Sequence, residues 1–187
     1  MAVQQSTTGI LADENRDKRE EVVELLTTAY WMEIETVMNY IACSVNPDGL
    51  LAREIVESLA QDVTEELGHA QQFAERIKEL YGVVPGSQGF TASQSFLQPP
   101  ERQTDITHVV RGVIEAETGA IEHYTRIVET TDGIDWVTQD MVIGILKDEQ
   151  GHRRLFEGFL RELDEAPVGV FGHGELRDMR ERLPVVE

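Results

Sequence analysis

Two stretches of this 187-residue sequence pair a carboxylate with an imidazole three residues later: Glu66-Leu67-Gly68-His69 and Glu149-Gln150-Gly151-His152. Each is preceded by another acid, Glu65 in the first and Asp148 in the second. On an α-helix, residues three apart share a face, so each pair aims one carboxylate and one imidazole at the same point. Oxygen and imidazole ligands with open positions suit Fe(II), Mn(II) or, adventitiously, Zn(II). A single Glu-x-x-His is commonplace on a solvated helix face, but two more glutamates change its meaning. Glu33 opens Glu33-x-x-Thr36-Val37-x-x-Tyr40, and Glu117 opens Glu117-x-x-Ala120-Ile121-x-x-Tyr124. The chain therefore holds one helical hairpin used twice, each copy supplying two carboxylates and one imidazole. Four buried carboxylates without partners would cost roughly several kcal/mol each. Two divalent cations would balance their four charges. Glu33, Glu66, His69, Glu117, Glu149 and His152 are the candidate ligands and the candidate catalytic groups, with Glu66 and Glu149 placed to bridge.

Four helices must position these residues. The first is predicted over about Asp17 to Cys43, where Val22, Leu26, Ala29, Tyr30, Val37, Tyr40 and Ile41 recur at steps of three and four. Glu33 interrupts that apolar stripe, whereas Glu35 falls off it. Asn46-Pro47-Asp48-Gly49 reads as a turn short enough to bring the next helix back antiparallel. The second helix is predicted over Leu50 to Tyr81, with Glu66 and His69 on the stripe of Leu51, Ile55, Leu59, Phe73, Ile77 and Leu80. Gly82 ends it. Residues 82–104 carry Pro85, Gly86, Gly89, Pro99 and Pro100 without helical period, a long connection that must travel the length of a bundle. The third helix is predicted over Asp105 to Glu129, with Thr104 or Asp105 as N-cap. After Thr131-Asp132-Gly133, the fourth is predicted over Asp135 to Asp164.

The predicted fold is all-α, a four-helix bundle with one long crossover between helices 2 and 3. Its expected parts are a loose N-terminal arm (1–17), the bundle (18–165) and a C-terminal tail (166–187). The tail's pattern allows a short fifth helix near Gly174–Leu183. Glu65 and Asp148 are expected to accept hydrogen bonds from the outer ring nitrogens of the ligand histidines, fixing their tautomers. Tyr40 and Tyr124 are core aromatics by pattern, and their matched positions also suit hydrogen bonding to ligands or radical quenching. Asp62 lies one turn before Glu66, where either metal access or a solvated edge would explain it. His108, His123 and His173 match no repeat and are expected at the surface.

The chain carries 35 acids against 16 bases, a net charge of −19. Direct DNA binding is disfavoured, because affinity for that polyanion comes from Lys and Arg neutralising phosphates. The acidity fits attraction of cations, or adaptation to a salty cytoplasm, with lysine confined to Lys18, Lys78 and Lys147. No apolar run reaches the length of a membrane span. Residues 1–18 show no basic region followed by an apolar stretch, so no secretory signal is expected. The single Cys43 cannot form an internal disulfide, and a reducing cytoplasm is the expected location.

From about Arg19 to Leu163 the chain resembles the ferritin-like superfamily, and its ligand pattern is similar to that of bacterioferritins. The residues carrying the likeness are Glu33-Ile-Glu-Thr-Val-Met-Asn-Tyr40 and Asp140-Met-Val-Ile-Gly-Ile-Leu-Lys-Asp-Glu149-Gln-Gly-His152. The resemblance implies two iron ions per subunit, oxidation of Fe(II) by O2 or H2O2, and a homo-oligomeric cage that stores ferric mineral. Such cages hold about twelve or twenty-four copies. Bacterioferritins bind haem through a Met beside the second-helix Glu. Here that position is Leu67, so no haem is expected. The long crossover and the N-terminal arm look like the Dps-like proteins of archaea and some bacteria, which keep a bacterioferritin-type site in a smaller cage. Those often carry a cysteine pair, which Cys43 alone does not reproduce. One Cys also excludes the four-Cys module of rubrerythrins, and ordinary Dps proteins place their site between subunits.

Rival functions use the same ligands: a dimanganese catalase or peroxidase, a sequestering or DNA-protecting shell without turnover, and a bundle merely stapled by metal.

Overall fold

Where apolar residues recur at steps of three and four, the chain is helical. The structure, a computed structural model, describes residues 8–165. Helices α1 (Arg16–Val45), α2 (Ala52–Glu79), α3 (Ile106–Thr131) and α4 (Trp136–Glu165) account for most of it. Each matches its predicted span to within two residues at either end. Among the described residues there is no strand, and no helix is long and apolar enough to cross a membrane. The α1 helix packs chiefly on α2 and α3 on α4, and the two hairpins join through α1 against α3 and α2 against α4. The predicted tail helix lies outside the described residues.

Local chemistry sets the helix ends. The Asp105 side chain caps α3, accepting the His108 amide at 3.2 Å. Asp135 caps α4 through the Thr138 amide at 3.1 Å and also receives Arg76 Nη2 at 2.7 Å, tying α2 to the start of α4. At the end of α2 it is Tyr81, not Gly82, that turns left-handed, with φ 64°. Gly82 is needed for space, since a Cβ there would lie 2.8 Å from Val23 and Ile77.

The core has two apolar ends and a polar middle. Val22, Leu26, Phe73, Ile77 and Val142 fill one end, and Cys43, Leu59, Val110 and Phe156 the other. Burial pushes the Cys43 thiol up to about 11. The crossover packs along α1 and shifts its buried face from the one read in the sequence. Glu35, off the apolar stripe, is buried because its carboxylate accepts the Ser93 amide (2.7 Å), the Ser93 hydroxyl (2.8 Å) and the Gln94 amide (2.8 Å). Gln94 in turn donates to Thr36 Oγ1 at 2.8 Å and accepts from Asn39 at 3.0 Å, while Ile41 is exposed. On the other side Gly112 admits the crossover, since a Cβ would lie 2.7 Å from the Phe96 carbonyl. Of the segment expected to be a loose arm (1–17), the described part from residue 8 onward is docked over 3-10 turns at Gly9–Leu11 and Asp13–Asn15. Ile10 is buried, and Arg19 donates to the Ile10 and Ala12 carbonyls.

Candidate metal centre

Between the two apolar ends, each helix turns a carboxylate inward at the same level: Glu33 from α1, Glu66 from α2, Glu117 from α3 and Glu149 from α4. All four are at most 2% exposed. With His69 and His152 they make two groups whose ligating atoms lie within 4.8 Å of one another. Glu33, Glu66, His69 and Glu149 form the first, and Glu66, Glu117, Glu149 and His152 the second. Glu66 and Glu149 belong to both, as a bridging role requires. All six sequence candidates are thus brought together.

Both imidazoles point Nδ1 inward. That of His69 lies 3.1 Å from Glu149, 3.3 Å from Glu66 and 3.8 Å from Glu33. That of His152 lies 3.4 Å from Glu66, 3.4 Å from Glu149 and 4.0 Å from Glu117. The outer nitrogens face acids across the helix pair. His152 Nε2 is 3.4 Å from Glu65 on α2, and His69 Nε2 is 3.9 Å from Asp148 on α4. The expected partners are therefore exchanged between hairpins. Tyr40 donates to Glu117 and Tyr124 to Glu33, again crossing from one hairpin to the other. Both tyrosines are fully buried, and Phe73 packs on Tyr124 with ring centroids 5.2 Å apart.

Asp62 is buried, with Glu65 and His152 near enough to form a further carboxylate–imidazole group. Burial, together with its acidic neighbours, raises its carboxyl to about 6 despite the opposing pull of His152. Of the histidines expected at the surface, His108 is exposed. His123 is partly buried and bonds the Leu25 carbonyl at 2.8 Å, linking α3 to α1, and His173 lies outside the described residues.

Protons hold the centre together. Burial and the neighbouring carboxylates Glu66 and Glu149 push Glu33 and Glu117 well above the usual carboxylate range. Burial opposes charge on Glu66 and Glu149 as well, but the two histidines outweigh it and hold both below that range. Burial alone would lower the imidazoles, yet Glu149 and Glu66 raise His69 to about 9 and His152 to about 12. The shifts of the two kinds of group are complementary: raised affinity for protons on Glu33, Glu117 and the imidazoles offsets the negative charge held on Glu66 and Glu149. A pair of divalent cations would supply that compensation in the protons' place.

The donor set fits such cations. Glu66 Oε1, Glu149 Oε1 and His152 Nδ1 are buried without a hydrogen-bond partner in the protein, all aimed into the centre. Unsatisfied atoms of this kind are rare in folded proteins and call for an explanation such as an ion.

Residues 23–166 match the Ferritin family, described as a ferritin-like domain. The chain belongs to this family. It is 30% identical, over 159 residues, to the DNA protection during starvation protein of Pyrococcus furiosus, covering 83% of this chain and 84% of that one. It is also 25% identical, over 148 residues, to a bacterioferritin of Desulfovibrio desulfuricans, covering 79% of this chain and 78% of that one. The fold matches the crystal structure of D. desulfuricans bacterioferritin with a TM-score of 0.69, over 88% of this chain and 89% of that one, at 22% identity. It matches a dodecameric thioferritin of Bacteroides fragilis at 0.66, over 89% and 92%, at 21% identity.

What the sequence did not reveal was second-rank support: the Glu35 anchor for the crossover, the exchanged Tyr and acid partners, and the Arg76–Asp135 pair. Arg76 had a signal, since it stands beside Ile77 on the α2 stripe.

Proposed function

We propose that this ferritin-like protein is a ferroxidase that oxidises Fe(II) with O2 or H2O2 inside each bundle. The observation that carries this reading is the pair of four-residue ligand groups sharing Glu66 and Glu149. Glu33 and His69 would hold one ion, Glu117 and His152 the other, with the shared carboxylates reaching both. Two Fe(II) held together supply two electrons in one event, which takes O2 to H2O2 or H2O2 to water without releasing a one-electron oxygen species. The protein's own part is to hold the terminal carboxylates by Tyr40 and Tyr124, exclude bulk water with the apolar ends, and give up protons as metal arrives.

The purpose is iron storage and detoxification, and with it protection from oxidants, in a homo-oligomeric cytoplasmic cage. Large exposed apolar side chains support assembly: Val45 is 77% exposed, Leu50 85% and Trp136 70% on the single chain. The −19 charge supports protection by consuming Fe(II) and peroxide over protection by coating DNA.

Stopped-flow absorbance tests this. Metal-free protein receives two Fe(II) per chain under argon, then O2 or H2O2 in separate shots. The expected result is fast ferric absorbance that saturates at two irons and is lost in Glu66→Ala. Oxidation no faster than without protein would overturn the reading. Rapid O2 evolution from H2O2 by the Mn(II)-loaded protein would replace it with a catalase.

A further inference from the structure

The duplication gives the six ligands, the acids before the two Glu-x-x-His pairs and the two tyrosines a twin in the other hairpin, while some of their neighbours have none. Arg153, directly after His152, corresponds to Ala70, which is buried after His69. Thr118, directly after Glu117, corresponds to Ile34 after Glu33. These two unmatched residues meet. Arg153 Nε donates to Thr118 Oγ1 at 3.0 Å. Thr118 Oγ1 itself donates to the Ile114 carbonyl at 2.6 Å, and Arg153 Nη1 pairs with Glu157 at 2.9 Å. Both ends of the bond are therefore held. It joins α3 to α4 one residue from where their ligands Glu117 and His152 converge. At the twin position, α1 and α2 present only Ile34 and Ala70. Apolar contact fixes the spacing of two helices, but a directional hydrogen bond also opposes sliding along their axes.

The imidazoles also differ. His69 bonds Glu66 at 3.3 Å, and its side chain is 4% exposed. His152 is 12% exposed; its inner nitrogen lies 3.4 Å from Glu66 and from Glu149 without a hydrogen bond, and its outer nitrogen meets Glu65 at 3.4 Å.

We propose that Arg153 is a positioning residue: through Thr118 it holds the Glu117–His152 half of the centre in register, whereas the Glu33–His69 half is held by packing. The proposal rests on the dinuclear reading above. The two metal positions then share a ligand plan but differ in what maintains them. Replacing Arg153 or Thr118 disturbs one position and spares the other.

The test uses full-length metal-free protein and Co(II), whose visible absorption reports binding without turnover. The parent should take up two Co(II) per chain; fewer would sink the dinuclear reading itself, separately from the role of Arg153. Two backgrounds then isolate the positions: His69→Ala leaves the Glu117–His152 half, and His152→Ala leaves the Glu33–His69 half. Arg153→Met and Thr118→Val should each weaken Co(II) about tenfold in the first background and less than about twofold in the second. Arg153→Lys, which keeps a donor and the charge, should recover most of the loss. The double variant should be no worse than either single one, because both remove the same bond. An effect of Arg153→Met without one of Thr118→Val would make the role one of charge and overturn the proposal. Equal weakening in both backgrounds would reduce it to general loosening, and no weakening would dismiss it.

Discussion

The first hairpin (α1–α2) and the second (α3–α4) are built to one plan, and their differences are as informative as their agreement. Leu26 and Val110, Glu33 and Glu117, Tyr40 and Tyr124 occupy matching levels of α1 and α3, every one of them buried. Leu59 and Val142, Glu66 and Glu149, Phe73 and Phe156 do the same in α2 and α4. Yet neither hairpin contains a complete site. Each ligand group draws on both, each tyrosine holds a carboxylate of the other, and each outer acid faces the histidine of the other. The duplication therefore produced interdependence, not two independent metal sites. It fails where surroundings differ: Glu35 matches Gly119 because the crossover covers α1 on that face, and Asp62 matches the buried Ile145.

The largest test of this interdependence removes the shared carboxylates one at a time. Glu66→Ala and Glu149→Ala, from opposite hairpins, should each drop Fe(II) oxidation to the protein-free rate. That loss should exceed the roughly 10–100-fold that loss of an outer partner costs. Stopped-flow rates for the two should agree within a few fold. If one variant retained most of its activity, a single hairpin would be carrying the chemistry.

Proton bookkeeping sharpens the comparison next. With Glu33 and Glu117 pushed upward by burial and both imidazoles raised, loading two divalent ions should release a positive number of protons per chain, drawn from both hairpins. Calorimetric titration in buffers of different ionisation enthalpy reads that number. Release near zero would mean the ligands were already bare. The sign for stability is also set. His69 rises from 6.5 in the unfolded chain to about 9 in the folded one. Its contribution to the metal-free fold is full below 6.5 and disappears as pH climbs through about 9. Thermal unfolding of metal-free protein should therefore fall over that window, while metal-loaded protein, with no imidazolium to lose, should not follow it. His152, raised further to about 12, keeps its proton through the same window.

A smaller effect tests the crossing of the tyrosines. Tyr40 sits on the first hairpin but holds Glu117 of the second. Tyr40→Phe should weaken Co(II) at the Glu117–His152 position, and Tyr124→Phe at the Glu33–His69 position, each by about tenfold. Stepwise Co(II) titration in the single-histidine backgrounds distinguishes this from a local effect, in which each tyrosine would serve its own hairpin.

The legibility of the molecule follows the reach of the interactions. The four helices and the six ligands were readable because α-helical spacing converts sequence separation directly into a shared face, and because the duplicated motif repeated that spacing. Pairings across helices were not readable. That Glu65 would meet His152 and not His69 depends on how α2 lies against α4, which no spacing within one helix encodes. Glu35 was misplaced for the same reason: the stripe rule assumes one buried face per helix, and the crossover created a second on α1. Gly82 was correctly placed at a helix end, though its reason is the close approach of Val23 and Ile77, while Tyr81 takes the left-handed turn.

The finest difference between the hairpins lies in those exchanged outer acids. Glu65 reaches within 3.4 Å of His152 Nε2, whereas Asp148 stays 3.9 Å from His69 Nε2, beyond hydrogen-bonding distance. The longer side chain spans the gap and the shorter one does not. Both side chains are well exposed, 47% for Glu65 and 38% for Asp148, so solvent screens what either contributes. Glu65→Gln should therefore weaken Co(II) at the His152 position by only about threefold, and Asp148→Asn at the His69 position by less. Gln retains an acceptor oxygen, so Glu65→Ala should exceed Glu65→Gln if the bond itself matters and equal it if only the charge does. Loss in neither Glu65→Ala nor Asp148→Ala would remove both acids from the centre and leave His152 dependent on its own helix. Equal losses at the two positions would mean that Asp148 closes on His69 once metal draws the imidazole into place, and that metal binding restores the symmetry the metal-free chain lacks.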